Sequence, residues 1–414
     1  MGYSNVPDDI IEKAASHIND RLNKNHSISI TGADDNPEIP HIFEIIPFNE
    51  IDSSKISFFA VDGSYNSQSF YNGLSVCVYT AGYLCYQKGY QQRVNNIDDP
   101  VIKGYSCYPK NMLITNEQEL YDFYDELILM PEVDSLIRFF NAQPEEIFPY
   151  SREIICQNLS SLLSFAQEIL EWALIYRIAN SDIIKDGDFI LKDGTLRSLN
   201  IKQSYLVNLG KFIKDKGLII VGITKNSPIK MELSYTFRQI DDYLQNELKY
   251  QFPFTSNNPK RQKLCCWFEV PDNVLMQAYR QGGSSNMYIK KDITGGRGFG
   301  AFHVARLDYV EKLQNYDWLV ADINIFDSIP RIEDKKNERD IERLKKIFKE
   351  LTRLTQEHYI LGYPYPLVEV HNFVTLKKDF KEEVVKKVKL FLYKNKRMDH
   401  IEIENMFLNI HDRF

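Results

Sequence analysis

At 414 residues, 43% apolar and 26% charged, the chain is long enough to bury one large core or two ordinary ones, and its composition excludes a disordered protein. A net charge of −7 excludes a protein that coats nucleic acid by bulk charge, and leaves local basic patches or bound divalent cations as the routes to such a ligand. Six cysteines without a CxxC pair argue against a zinc module; with an acidic N-terminus unlike a signal peptide and no apolar run near the roughly 20 residues of a membrane helix, they predict a reduced, cytoplasmic protein with no membrane segment.

Residues 7–23 are predicted as helix, and Asp34 to Pro40 as loop. From 56 to 108 the chain is rich in β-branched and aromatic residues punctuated by Gly and Asn, which predicts strands, beginning with ISFFAVDGS. The period turns helical between 116 and 180: NEQELYDFYDELILM is one helix, and 151–180 is a long one started by Ser151. Then come a strand, DFILKDGTL, a helix, YLVNLGKFIKDKG, closed by Gly217, and a second strand, LIIVGITKN. Strand, helix and strand with short joints form a βαβ unit. KLCCWFEV (263–270) and WLVADINIF (318–326) are further strands, GGRGFG (295–300) is a loop, and the chain ends in charged helices. No internal repeat and no clear linker interrupts this order.

Two strand ends share one layout. FFAVDGS and FILKDGT each run an apolar strand into Asp, Gly and a hydroxyl residue. Asp-Gly is a common turn pair, so either end alone reads more readily as a turn than as a site. Should the strands lie side by side, Asp62 and Asp193 point into the same mouth. Two carboxylates there repel and raise each other's pKa, a cost that a divalent cation removes, and oxygen donors suit magnesium or manganese. A third acid, Glu171, stands where the polar stripe of the long helix turns inward, with Glu168 one turn earlier as its substitute. Strand Asp, helix Glu and strand Asp form the acid set of RNase H-like two-metal nucleases, in which one ion readies water and the other steadies the leaving oxygen. On the residues alone, turn and site remain evenly weighted.

In order, AVDGS (60–64), a helix Glu, FILKDGTL (189–196), VGITK (221–225) and LGYPYPLVEVHNF (361–373) resemble the NurA nuclease family, the partner of HerA-type DNA translocases. The resemblance spans residues 55 to 375. It implies an α/β fold with an RNase H-like mixed sheet, Mn2+- or Mg2+-dependent DNA cleavage, a homodimer, and a HerA-like hexameric ATPase as partner in end processing or in defence against foreign DNA. By position, Asp62, Glu171, Asp193 and His371 match the family's metal-site residues, with Tyr363 near the histidine. Lys225, at the end of LIIVGITK, is expected to assist at the phosphate as a point charge, the alternative being a solvated strand end. His371 would ligate a metal or donate to the phosphate; without the resemblance it reads as a half-buried core residue. The expected plan is an N-terminal helical segment over 1–50, a nuclease domain over 51–375 with a helical insertion at about 111–180, and C-terminal helices over 376–414.

The pattern departs from the family in LVEVH, where a small residue is expected before the histidine and Glu369 intrudes. Asp186 and Asp188 also crowd the start of the second Asp-Gly strand. Two rival readings stand beside the nuclease. One is an actin-like ATPase, whose phosphate loops usually place a residue between Asp and Gly, unlike DGS and DGT. The other is a non-catalytic subunit that regulates a translocase.

Overall fold

The computed structural model describes residues 43–46, 56–69, 74–87, 90–92, 105–113, 117–224, 265–270, 299–307, 318–328, 340–357 and 362–375, with isolated positions within 12–16, 227–243 and 386–404. Its strands are β1 (Phe43–Ile45), β2 (Ser57–Ser69), β3 (Leu74–Gln87), β4 (Tyr90–Gln92), β5 (Tyr105–Leu113), β6 (Phe189–Asp193), β7 (Ile219–Thr224), β8 (Cys266–Glu269), β9 (Gly300–Arg306) and β10 (Trp318–Asn324). The longer helices are α1 (Glu117–Ile128), α2 (Pro131–Phe140), α3 (Leu159–Ala179), α4 (Gln203–Asp215), α5 (Ile341–Glu357) and α6 (Tyr365–Val374). The fold is mixed α/β. The chain divides into two compact units, one of Met1–Asp52, Gly194–Leu196 and Gly222–Tyr365, the other of Ser53–Asp193, Arg197–Val221 and Pro366–Phe414.

The second unit carries both Asp-Gly strands. In strand order β6 lies between β7 and β2, and β3 follows β2. β2 and β3 are antiparallel over their whole length, from Ser57 opposite Gln87 to Ser69 opposite Ser75. β6 joins β2 in parallel, with Phe58 level with Phe189 and Val61 level with Lys192. The sheet is therefore mixed. Parallel pairing needs a crossover, and the segment between β2 and β6 supplies it with α1, α2 and α3. Phe58, Phe59, Ala60, Val61, Phe189, Ile190 and Leu191 are all buried, the continuous apolar run expected of strands covered on both faces.

α3 packs on β2 and β3 and against α2. It is apolar nearly all round, as a helix buried between a sheet and other helices must be. Its start differs from the sequence expectation. Ser151 opens only a single turn, Arg152–Ile155, and the long helix begins after Asn158, whose side chain accepts a hydrogen bond from Ser161 N at 2.9 Å. Asn is as good an N-cap as Ser, and Asn158 precedes the continuous apolar stretch. The helix YLVNLGKFIKDKG forms as predicted, and Gly217 beyond it takes φ +75°, a left-handed conformation that favours glycine. β7 follows, and Ile219 N donates to Asp188 O at 3.0 Å.

The first unit holds the antiparallel order β1-β8-β9-β10. Its core is aromatic: Phe237 stacks on Trp318 at 4.6 Å and Trp267 on Phe348 at 4.6 Å. Among the described residues no helix is long and apolar enough to cross a membrane.

Candidate metal centre

The parallel register of β2 and β6 decides where the two aspartates go. With Val61 level with Lys192, Asp62 falls level with Asp193 one residue on. Side chains alternate between the faces of a strand, so level residues on neighbouring strands share a face. The next residue, Gly63, marks the opposite face. A Cβ there would lie 2.8 Å from Gln167 Cγ and 2.8 Å from Glu171 Oε1, on α3. α3 thus covers one face of β2 and β6 here, and the aspartates turn to the other. Contrary to the sequence expectation, only β6 ends at its Asp; β2 neither ends nor turns at Asp62-Gly63 but runs on to Ser69, held by continuous pairing with β3.

On that other face stands α6. Its His371 places Nδ1 2.8 Å from Asp62 Oδ2, and the side chain is 53% exposed, so it is not the core histidine that the residue alone suggested. α6 is tied to the sheet by Thr80 Oγ1, buried on β3, which donates to Val374 O at 2.9 Å. Asp62, Asp193 and His371 each offer a ligand atom, all within 4.8 Å of one another. Asp62 Oδ1 also accepts from Gly63 N at 2.8 Å. Burial pushes the Asp62 carboxyl up to about 7, with Glu171 and Asp193 adding to the rise and the bonds from His371 and Gly63 opposing it. A carboxyl so strained by burial and like charge fits a divalent cation as its missing partner. Two carboxylates and an imidazole are a donor set for a divalent cation rather than for a soft metal such as Cu(I).

Glu171 is buried and faces α3's side of β2 and β6. Its Oε2 pairs with Lys192 Nζ at 2.7 Å, and its Oε1 accepts from Gln167 Nε2 at 3.0 Å. Gln167 Nε2 also donates to Gly63 O at 2.9 Å, which stitches α3 to β2. Lys192 Nζ donates to Asp193 O at 3.0 Å and lies 5.7 Å from the centre of the Trp172 ring. Burial pulls the Lys192 ammonium down, but Glu171, Glu168 and Asp62 outweigh it and hold the group above the ordinary lysine range. Glu168 is half-buried one turn away and accepts a hydrogen bond from Asn200; burial raises its carboxyl.

The acids that crowded the motif are accounted for. Asp188 is buried at the far end of the strands, where it accepts from Ser57 N at 2.8 Å and Lys185 N at 2.9 Å and so fixes the starts of β2 and β6. Asp186 and Glu369 are exposed. Lys225 and Arg297 lie outside the described residues. Sequence reasoning missed Lys192 and Gln167. The signal for Lys192 was a lysine set inside an apolar strand next to Asp193.

Gly63 makes a prediction of its own. Gly63→Ala drives a methyl into Glu171 and Gln167, so α3 or β2 must shift. Overpacking of this kind costs about 1–3 kcal/mol. Thermal melting should show a drop of several degrees; an unchanged midpoint would contradict the close approach of α3.

The fold and site together describe an α/β protein with an acid-and-histidine centre on two neighbouring parallel strands, where β6 ends beside β2. A family model described as the NurA domain matches residues 56–376, and the chain belongs to the NurA family. Solved structures similar to it include a NurA nuclease from Sulfolobus solfataricus, 13% identical over 94% of this chain and 95% of that one, with a TM-score of 0.43. A second NurA structure is 12% identical over 93% of this chain and 97% of that one, with a TM-score of 0.36. A structure of NurA with manganese is 12% identical over 84% of this chain and 66% of that one, with a TM-score of 0.23. No curated protein matches the sequence.

Proposed function

We propose that this chain is a divalent-metal-dependent deoxyribonuclease of the NurA type, using Mn2+ or Mg2+ to hydrolyse phosphodiester bonds on an RNase H-like sheet. One observation carries the reading: Asp62, Asp193 and His371 bring ligand atoms within 4.8 Å of one another. Family membership over 56–376 supports it. When bound, the cation supplies Lewis acidity at the phosphate and a water of lowered pKa. The chain's own part is positioning. Adjacent strands β2 and β6 hold the Asp62 and Asp193 oxygens, and α6 presents the His371 ring, with Nδ1 2.8 Å from Asp62 Oδ2, as the third donor. Glu171 completes the acid set from α3. Lys225, just beyond β7, is assigned to the phosphate as a point charge.

Purified protein should leave linear DNA intact in chelator and cut it on addition of manganese or magnesium. Cleavage that survives exhaustive chelation would overturn the metal-dependent reading. The net charge of −7 gives little nonspecific hold on DNA, which supports a working complex with a HerA-like hexameric ATPase, the nuclease itself acting as a homodimer. Co-expression should yield that complex with ATP-sensitive cleavage; an ATPase that neither binds nor alters cleavage would remove the partner.

A further inference from the structure

A site with Asp62, Asp193 and Glu171 carries three acids, and the expectation from such a set is two metal ions. The geometry divides the acids differently. Asp62 and Asp193 share the face that α6 covers, and His371 joins them. Glu171 belongs to the α3 face, as the Gly63 contacts show. There it already has a cation, the Lys192 ammonium at 2.7 Å, with both side chains under a tenth exposed. Lys192 cannot drift away, because its Nζ also donates to Asp193 O at 3.0 Å.

We propose that Lys192 is a positioning residue that serves Glu171 as a permanent built-in counter-cation, so that the resting site takes one divalent ion, on Asp62, Asp193 and His371, where a bare acid triad would take two. This rests on the metal-dependent reading above and specifies its stoichiometry. A fixed charge beside Glu171 repels a second cation from that carboxylate and cancels the negative charge that would attract it. It also donates to the Asp193 carbonyl at the end of β6, next to the ligand carboxylate. A lysine suits this role because its ammonium is compact and donates in several directions, here to Glu171 and to a backbone oxygen.

The test counts manganese ions by electron paramagnetic resonance titration of the full chain, without DNA. Wild type should bind one Mn2+ per chain tightly. Lys192→Gln, which keeps a donor for Glu171 but removes the charge, should gain a second ion or bind at least tenfold more tightly. Adding Glu171→Gln to that variant should remove the gain, and Lys192→Arg should retain the wild-type count. Two ions of similar affinity in wild type would overturn the proposal, as would a folded Lys192→Gln protein whose binding is unchanged. If Lys192→Gln does not fold, the wild-type and Lys192→Arg counts decide: one ion in both upholds the proposal, and two in either overturns it. Failure of the nuclease reading looks different: no tight Mn2+ in wild type, or binding that Asp62→Asn leaves intact.

Discussion

Asp62→Asn will leave a folded protein that has lost DNA cleavage by more than about a hundredfold, the scale on which metal-site substitutions act. Asn keeps a side-chain oxygen to accept from Gly63 N, and the β2–β3 pairing on both sides of it is untouched, so the local backbone should stand. What disappears is an anionic donor at the point where β2 and β6 bring their acids level. Asp193→Asn should fall by a similar factor. The double variant should be little worse than either single one, because residues that act as a unit lose their joint effect once. The measurement is nicking rate in manganese, paired with thermal melting of the same preparations. A folded Asp62→Asn protein that cuts at the wild-type rate would remove Asp62 from the metal site.

The second large effect is on stability, and it changes sign with metal. In the folded chain the Asp62 carboxyl is raised to about 7 by burial and by Glu171 and Asp193, against about 3.9 for an unfolded aspartate. Between those values the folded state keeps a proton that the unfolded state has released. Metal-free stability must therefore fall as pH rises from about 4 to 7, by on the order of a few kcal/mol. Asp62→Asn has no proton to lose, so in chelator it should melt higher than wild type at pH 8 and nearly level with it at pH 5. A divalent cation at pH 8 should reverse the order above a thousandfold excess over its dissociation constant, where it adds about 4.1 kcal/mol or more to wild type and little to Asp62→Asn. Differential scanning fluorimetry at the two pH values, with chelator and with manganese, reads all of this. Parallel curves for the two proteins would contradict the strained carboxyl.

Much of the site was legible because the signal was local. An apolar run into Asp-Gly appears twice, and each Asp could be numbered from the sequence, but only β6 ends there; β2 continues to Ser69 because β3 pairs with it throughout. The register that brings them level could not, since β2 and β6 pair across more than a hundred residues and no local pattern specifies a parallel neighbour. Glu171 was legible as an inward-facing acid at the edge of a polar stripe. Its engagement by Lys192 was hidden, because a lysine in FILKDGT reads as a strand-end charge until the helix facing it is known. β9 was missed for a related reason. GAFHVAR carries a His and an Arg, yet both are buried: His303 Nδ1 bonds Ala301 O at 2.9 Å, and the Arg306 guanidinium lies 4.7 Å from the centre of the Trp318 ring. Tertiary partners turned polar residues into core. The helix start moved from Ser151 to Asn158 because both are good caps and only packing distinguishes a single turn from a long helix.

The central claim is that one carboxylate from each of two parallel strands, with a histidine from α6, forms a cation site. Crystals soaked in manganese and measured at its absorption edge test it most directly. The account predicts an anomalous peak within bonding distance of an oxygen of Asp62, an oxygen of Asp193 and a ring nitrogen of His371. A DNA-cleaving protein whose manganese peak lies elsewhere, with these three side chains unliganded at saturating metal, would contradict it.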